Sequence, residues 1–181
     1  MQNSFIENEI KIIDADTAEV ANKLLKLGFE QQTVTEFKRY IFDLPSGEKN
    51  AWIRLRSDGK HATVTYKRVL KDSIDGVEEI EVTVDNFDRA KELLSAAGLK
   101  QVSYQENTRK SFLQSGIEVS IDSWPLIPPY IEIEAPTKAE VEDTLHRLGL
   151  SKHKLSSLPT KDIYEMYGLH LDDYKVLKFE D

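Results

Sequence analysis

Charged side chains recur at every second position of a predicted strand over residues 6–12. Because successive side chains of a strand point to opposite faces, the charges share one face and the apolar residues share the other. The charged face holds Glu7, Glu9 and Lys11, and the apolar face holds Ile6, Ile10 and Ile12. Two carboxylates and an ammonium are costly to bury unless they are compensated. Such a face either meets water, as in many antiparallel sheets, or lies among charges of opposite sign.

Other predicted strands also keep their charges on one face, and they sort acids from bases. The acids are Glu79, Glu81, Asp122, Glu132 and Glu134, and the bases are Arg54, Arg56, Lys67 and Arg109. Adjacent cations repel each other unless an anion with several oxygens lies between them. Carboxylates two residues apart suit a hard divalent cation. The pattern therefore indicates a cavity for a metal–polyphosphate complex, with a solvated sheet face as the alternative. Lys110 lies beside Arg109, and charge sorting favours Arg109 as the inward residue.

These charged strands belong to a predicted α+β fold with about eight strands. Three amphipathic helices begin at Asp14–Thr17, Asn86 and Thr137, and each ends at a glycine. A fourth, short helix is predicted over residues 160–167, and the tail after Gly168 has no clear pattern. Helices that cover the apolar strand faces would leave the charged faces on the other side of the sheet. Eight strands suffice to close a narrow barrel, which would turn that side into a lumen.

Composition limits the classes of function. The 181 residues carry a net charge of −8, which argues against a general nucleic-acid or anionic-membrane surface. The chain contains no cysteine, which excludes disulfides and thiol catalysis. Residues 1–4 lack the pattern of a signal peptide, no apolar run could cross a bilayer, and no linker interrupts the chain. We therefore expect one domain over residues 1–181 in a cytoplasmic protein.

The ordered charged residues, from Glu7-x-Glu9-x-Lys11 to Glu132-x-Glu134, resemble the signature of the CYTH domain, the triphosphate tunnel metalloenzymes. The resemblance extends to about Tyr167. It implies an eight-stranded antiparallel closed β-barrel with helices packed on the outside. The polar lumen of such a barrel binds a triphosphate together with Mg²⁺ or Mn²⁺.

The resemblance also implies a role for each charged residue. The phosphate-binding side chains would be Lys11, Arg54, Arg56, Lys67, Arg109 and, on the short fourth helix, Lys161. The metal ligands would be Glu7, Glu9, Glu132 and Glu134, with Asp122 nearby. Glu79 and Glu81 would orient the basic residues or complete a second metal site, and they join the phosphate-binding set as candidate catalytic residues.

The implied activity is metal-dependent hydrolysis of inorganic triphosphate, a nucleoside triphosphate or thiamine triphosphate. The same resemblance implies two alternatives, a class IV adenylate cyclase and a non-catalytic module that binds polyphosphate or a nucleotide. The expected partner is a small triphosphate, with neither nucleic acid nor membrane. The sequence leaves open whether the protein is a monomer or a homodimer.

Overall fold

The fold was derived from a computed structural model that describes residues 5–180. The interpretation that residues 1–4 lack the pattern of a signal peptide therefore concerns residues outside the described part of the chain. The strands are β1 (Phe5–Glu7), β2 (Glu9–Ile12), β3 (Glu30–Gln31), β4 (Thr35–Asp43), β5 (Ala51–Ser57), β6 (Ala62–Val69), β7 (Val77–Val84), β8 (Lys100–Gln114), β9 (Ile117–Ser123), β10 (Tyr130–Glu134), β11 (Leu155–Ser156) and β12 (Val176–Leu177). The helices are α1 (Thr17–Lys26), α2 (Phe87–Ala96), α3 (Lys138–Arg147) and α4 (Thr160–Met166). The predicted α+β class is confirmed.

One large sheet contains all the strands, and nearly all of its pairs are antiparallel. The strand order is β1-β7-β6-β5-β4-β8-β9-β10-β2-β11, and β3 and β12 both pair with β8. Among the strands of residues 5–180, only β12 runs parallel to its neighbour. Most neighbours in the sheet are also neighbours in sequence, as expected for strands joined by hairpins.

The predicted strand over residues 6–12 divides at Asn8. Its first part, β1, pairs with β7, and its second part, β2, pairs with β10. The two halves of one extended segment therefore lie on opposite ends of the path that runs from β7 to β10. Asn8 is also tied to the chain after β10, since its backbone carbonyl accepts a hydrogen bond of 3.1 Å from the Ala135 amide.

Helices α1 and α3 cover the apolar faces of the strands around β2, β9 and β10. Asp16 caps α1 and Thr137 caps α3 through their side-chain oxygens, as predicted. Val20, Val141 and Ile133 pack together in the main buried cluster. Because the side chains of β10 alternate, the burial of Ile131 and Ile133 under the helices turns Glu132 and Glu134 to the other side of the sheet.

The tail after Gly168, for which no sequence pattern predicted a structure, folds against the sheet. A 3₁₀ turn over Leu171–Asp173 leads into β12. Leu171 and Leu177 are buried with Trp124 and Tyr164 in a second cluster, beside α4. The tail and α4 therefore form one packed unit at one margin of the charged face. Among residues 5–180, no helix is long and apolar enough to cross a membrane.

Candidate active site

The charged strand faces surround one cavity of about 1310 Å³. All thirteen side chains predicted for the site line it: Glu7, Glu9, Lys11, Arg54, Arg56, Lys67, Glu79, Glu81, Arg109, Asp122, Glu132, Glu134 and Lys161. Several of the charged groups are almost completely buried, including Lys11 at 3% exposure and Asp122 at 1%. A solvated sheet face would leave such groups in water, so the arrangement favours the cavity over the solvated alternative.

Lys11 lies between two carboxylates on neighbouring strands. The register of β2 and β10 places Lys11 opposite Glu132 and Glu9 opposite Glu134. The Lys11 ammonium contacts the Glu9 carboxylate and lies 3.3 Å from Glu132 Oε2. Burial lowers the pKa of Lys11, but the two carboxylates outweigh it and the pKa is raised overall. Lys11 therefore stays charged and compensates the acidic strands around it.

Lys67 and Arg54 have their own acidic partners on the opposite side of the cavity. Lys67 Nζ donates to both Glu7 oxygens, at 2.8 and 3.0 Å, and lies 3.5 Å from Glu79. Arg54 Nη2 lies 3.2 Å from Glu79 and 3.4 Å from Glu81. These contacts connect β1, β5, β6 and β7 around two cations, so the acids hold the basic groups in place.

Arg109 makes charge-assisted hydrogen bonds to two carboxylates in the cavity. Its Nε and Nη2 donate to the two oxygens of Asp122 at 2.8 and 2.6 Å, and Nη2 also donates to Glu132 at 2.7 Å. Burial lowers the pKa of Arg109, but Asp122 and Glu132 raise it by more, so the net shift is upward. Lys110 points away from the cavity, with its ammonium over the ring of Phe112 at 5.4 Å.

Arg56 lacks the compensation that the other predicted cations have. Within residues 5–180, no carboxylate oxygen lies within 4 Å of its guanidinium, which instead stacks over the ring of Phe37 at 4.7 Å. Burial, followed by repulsion from Arg54 and Arg109, lowers the pKa of Arg56 to about 10. An anion entering the cavity would gain directly from this unpaired charge.

Arg39 is a cavity cation that the sequence analysis missed. It is 8% exposed and lies on β4 directly opposite Arg56. Its neighbours on the same strand face are apolar, Phe37 and Ile41. The sequence signal was a single cation between two apolar residues on one strand face, which differs from the paired charges that mark the other site residues.

Glu134 is the acidic counterpart of Arg56. Within the described residues it has no cationic partner within 4 Å, whereas its neighbours Glu9 and Glu132 both contact Lys11. Burial, followed by repulsion from Glu132, Glu7 and Glu9, raises the pKa of Glu134 to about 7. Burial also raises the pKa of Glu7 to about 7, despite Lys67. This end of the cavity holds more negative charge than its cations neutralise.

Such a surplus of carboxylate oxygens fits Mg²⁺ or Mn²⁺, which prefer oxygen ligands. In the part of the chain that the structure describes, no three acidic or histidine side chains are already gathered as a metal site. The donor chemistry therefore fits the ion, while the side-chain positions would have to converge when it binds.

The two raised carboxyl pKa values predict that the metal-free protein loses stability as the pH rises from about 4.5 to 7. In this range Glu7 and Glu134 still hold protons in the folded state that they have lost in the unfolded state, so the free energy of unfolding falls. Each group contributes on the order of 3 kcal/mol. Urea unfolding in EDTA between pH 5 and 8 measures this slope, and added Mg²⁺ should restore stability at pH 8. A flat profile in EDTA would contradict the uncompensated carboxylates.

Lys161 lies at the margin of the cavity. It is the second residue of α4, its side chain is about half exposed, and its ammonium contacts the Asp172 carboxylate of the tail. The hydrogen bond to Asp172 raises the pKa of Lys161. Lys161 therefore stands apart from the buried ion pairs and belongs to the unit that α4 forms with the tail.

Comparisons with known proteins agree with this geometry. Residues 6–163 match the profile of the CYTH domain. A Methanocaldococcus jannaschii protein with the name "putative adenylate cyclase" is 28% identical over 178 residues, which cover 91% of this chain and 99% of that protein.

Solved structures share the fold. A Pyrococcus horikoshii protein has a TM-score of 0.70 at 21% identity, covering 81% of this chain and 92% of that one. A Hippeastrum protein with the name "putative adenylyl cyclase" has a TM-score of 0.58 at 15% identity, covering 92% of this chain and 97% of that one. The profile match spans most of the chain and includes all thirteen predicted site residues, twelve on strands and Lys161 near the end of the match. The chain belongs to the CYTH domain family.

Proposed function

We propose that this protein hydrolyses a triphosphate inside its charged cavity with the help of a divalent metal. The observation that carries the proposal is the separation of charge within one cavity. Within residues 5–180, Arg56 has no carboxylate partner within 4 Å and Glu134 has no cationic partner within 4 Å, although both are partly buried. A metal–triphosphate complex would supply both missing partners, because its phosphate oxygens suit Arg56 and its metal suits Glu134.

We further propose that the sheet closes into a tunnel and that residues 1–181 form one domain. The support for closure is that β1 and β2 are consecutive and pair with β7 and β10, the strands at the two ends of the remaining path. If β1 and β2 count as one strand, this path has eight strands, the number typical of a narrow barrel.

In this tunnel the cations would hold the phosphate chain, and the acids would hold the cations. The phosphate-binding residues are Lys11, Arg54, Arg56, Lys67, Arg109 and Lys161. Glu79 orients Arg54 and Lys67 through the contacts described above, and Asp122 fixes the plane of Arg109. Positioning and charge neutralisation supply most of the catalysis in phosphoryl transfer. Hydrolysis would form a bond from water oxygen to the terminal phosphorus and break its bond to the bridging oxygen.

The metal would be held by Glu7, Glu9, Glu132 and Glu134, with Asp122 nearby. When bound, Mg²⁺ or Mn²⁺ polarises phosphate oxygens and makes a water molecule easier to deprotonate. Lys11 and Arg109 already hold the Glu132 carboxylate at 3.3 and 2.7 Å, so its oxygens are oriented before any ion arrives.

A class IV adenylate cyclase is the second candidate, and the name of the Methanocaldococcus relative favours it. The Hippeastrum homologue, which carries a cyclase name, is described as having a dominant triphosphatase activity. The cavity charges serve both reactions, since both neutralise a phosphate chain. We rank hydrolysis first because it requires only the charge pattern, whereas cyclisation also requires the ribose to be positioned.

The test is a product assay with inorganic triphosphate, thiamine triphosphate and ATP, each with Mg²⁺ or Mn²⁺. Hydrolysis gives orthophosphate with pyrophosphate, thiamine diphosphate or ADP, respectively. Cyclic AMP with pyrophosphate from ATP would identify the cyclase. A rise in melting temperature with triphosphate but no product under either metal would indicate the non-catalytic binding module. Absence of both binding and turnover would refute the proposal.

Substituting Arg54 or Arg56 by alanine is expected to weaken binding of inorganic triphosphate. Each lost charged contact costs about 1.5–3 kcal/mol, or about 10- to 150-fold in Kd. Arg54→Ala should also destabilise the free protein because it leaves Glu79 and Glu81 without that cation, whereas Arg56→Ala leaves no carboxylate unpaired. Calorimetric titration in EDTA gives Kd, and urea unfolding gives stability. An unchanged Kd for Arg56→Ala would remove it from the binding set.

A further inference from the structure

Arg39 is a buried cation without a counter-ion in the described part of the chain. It lines the cavity, and no carboxylate oxygen among residues 5–180 lies within 4 Å of its guanidinium. The register of β4 and β5 places it directly opposite Arg56. Like charges in directly opposed positions of an antiparallel pair destabilise a sheet. Two unpaired guanidiniums therefore face the same part of the cavity.

The contacts of Arg39 orient its guanidinium without neutralising it. One face stacks on the indole of Trp124, with the guanidinium carbon 4.5 Å from the ring centroid. Its Nη2 donates to the side-chain oxygen of Asn107 on β8. Its Nε is buried and has no hydrogen-bond partner among the described residues. A guanidinium stacked in this way keeps donors along its edge for the oxygens of a phosphate.

A packing role alone does not account for arginine at this position. Burial, followed by repulsion from Arg54 and Arg56, lowers the pKa of Arg39 well below its ordinary value, so the charge opposes folding of the free protein. An apolar side chain of similar length would also pack on Trp124 and would not bring this cost. The unpaired charge, on a guanidinium that lines the cavity, is the feature that an anionic ligand would satisfy.

We propose that Arg39 is a substrate-binding residue that, together with Arg56, forms an additional subsite for one phosphoryl group of a polyphosphate chain. This inference rests on the proposed function. The subsite extends the cation set beyond Lys11, Arg54, Arg56, Lys67 and Arg109. Asn107 and Trp124 act as positioning residues that hold the Arg39 fork in the cavity.

The experiment measures Kd for inorganic triphosphate by calorimetric titration in EDTA. Arg39→Gln should raise Kd about 10- to 100-fold, because one charged contact is lost. Arg39→Lys should have a Kd between those of Arg39→Gln and the native protein, because lysine keeps the charge but lacks the forked donors of the guanidinium. The matched control is Arg68→Gln, since Arg68 lies on β6, pairs with Glu78 and is absent from the cavity lining. Its Kd should not change.

Thermal unfolding of the metal-free variants separates binding from packing. If Arg39 serves the ligand, Arg39→Met should raise the melting temperature of the free protein and reduce the shift produced by triphosphate. A lower melting temperature with an unchanged Kd would overturn the inference and leave a structural role. If Arg39→Gln does not fold, Arg39→Lys and Arg39→Met carry the same test. If the native protein does not bind triphosphate, the proposed function is refuted as well. If the native protein binds triphosphate and the Arg39 variants bind it with the same Kd, only this inference is refuted.

Discussion

The substitution Glu134→Gln is expected to lower metal-dependent turnover of inorganic triphosphate about a hundredfold or more while leaving the fold intact. Stabilisation of phosphoryl charge by a metal is worth several kcal/mol, and a neutral amide is a much poorer ligand than a carboxylate. The same change removes an uncompensated buried charge, because burial and the neighbouring Glu132, Glu7 and Glu9 raise the pKa of Glu134 to about 7. The metal-free variant should therefore be more stable than the native protein at pH 8.

Both effects can be measured against Glu142→Gln, an exposed glutamate on α3 that tests the same chemical change outside the cavity. Initial rates over a Mg²⁺ or Mn²⁺ titration give the loss of turnover, and urea unfolding in EDTA gives the gain in stability. Native rates in the Glu134→Gln protein at saturating metal would exclude Glu134 as a ligand. A loss of stability in EDTA would contradict the uncompensated charge.

The substitution Arg109→Met is expected to lower the free energy of unfolding by about 3–5 kcal/mol. Arg109 forms ion pairs with Asp122 and Glu132, and the side chains of these two acids are only 2% and 8% exposed. Removing one member of a buried ionic group strands the remaining charges in a medium that solvates them poorly. Binding of triphosphate should be lost as well, since the same guanidinium belongs to the proposed phosphate set.

Urea unfolding at pH 7.5 measures this difference, with Arg89→Met as the control. Arg89 lies on α2, its side chain is 79% exposed, and it pairs with the exposed Glu92, so its removal should change stability by less than about 1 kcal/mol. Arg109→Lys should recover part of the loss, because it restores the charge without the bidentate contact to Asp122. Equal, small effects for Arg109→Met and Arg89→Met would show that the cavity ion pairs are dispensable.

The side of the sheet on which each charge lies could be read from the sequence. In β10 and in β2, strict alternation separates the isoleucines from the charged residues, and the apolar stripes of α1 and α3 then decide which face becomes the core. The helix starts at Asp16, Asn86 and Thr137 were equally local, because each cap bonds to an amide two or three residues away. Features of this kind depend only on near neighbours in the chain.

The pairing of the charges was decided by the tertiary structure. Lys67 meets Glu7, sixty positions away, and Arg109 meets Glu132 only because β8, β9 and β10 are adjacent and in register. No local pattern could show that Arg56 and Glu134 would lack such partners. The division at Asn8, which sends the two halves of one predicted strand to β7 and β10, depends in the same way on strands far along the chain.

The roles of Arg39 and of the tail also depend on contacts with residues that are distant in sequence. A single arginine between apolar residues gives no periodic signal, and its importance comes from Arg56, Asn107 and Trp124, which lie on other strands or beyond them. The tail is too short and too charged to form a core by itself, and it is ordered by Leu171 and Leu177 packing beside α4. The sequence by itself determined which residues carry charge and toward which face they point. Only the packed sheet decided which charges neutralise each other and which remain for a ligand, because that depends on distances across the cavity.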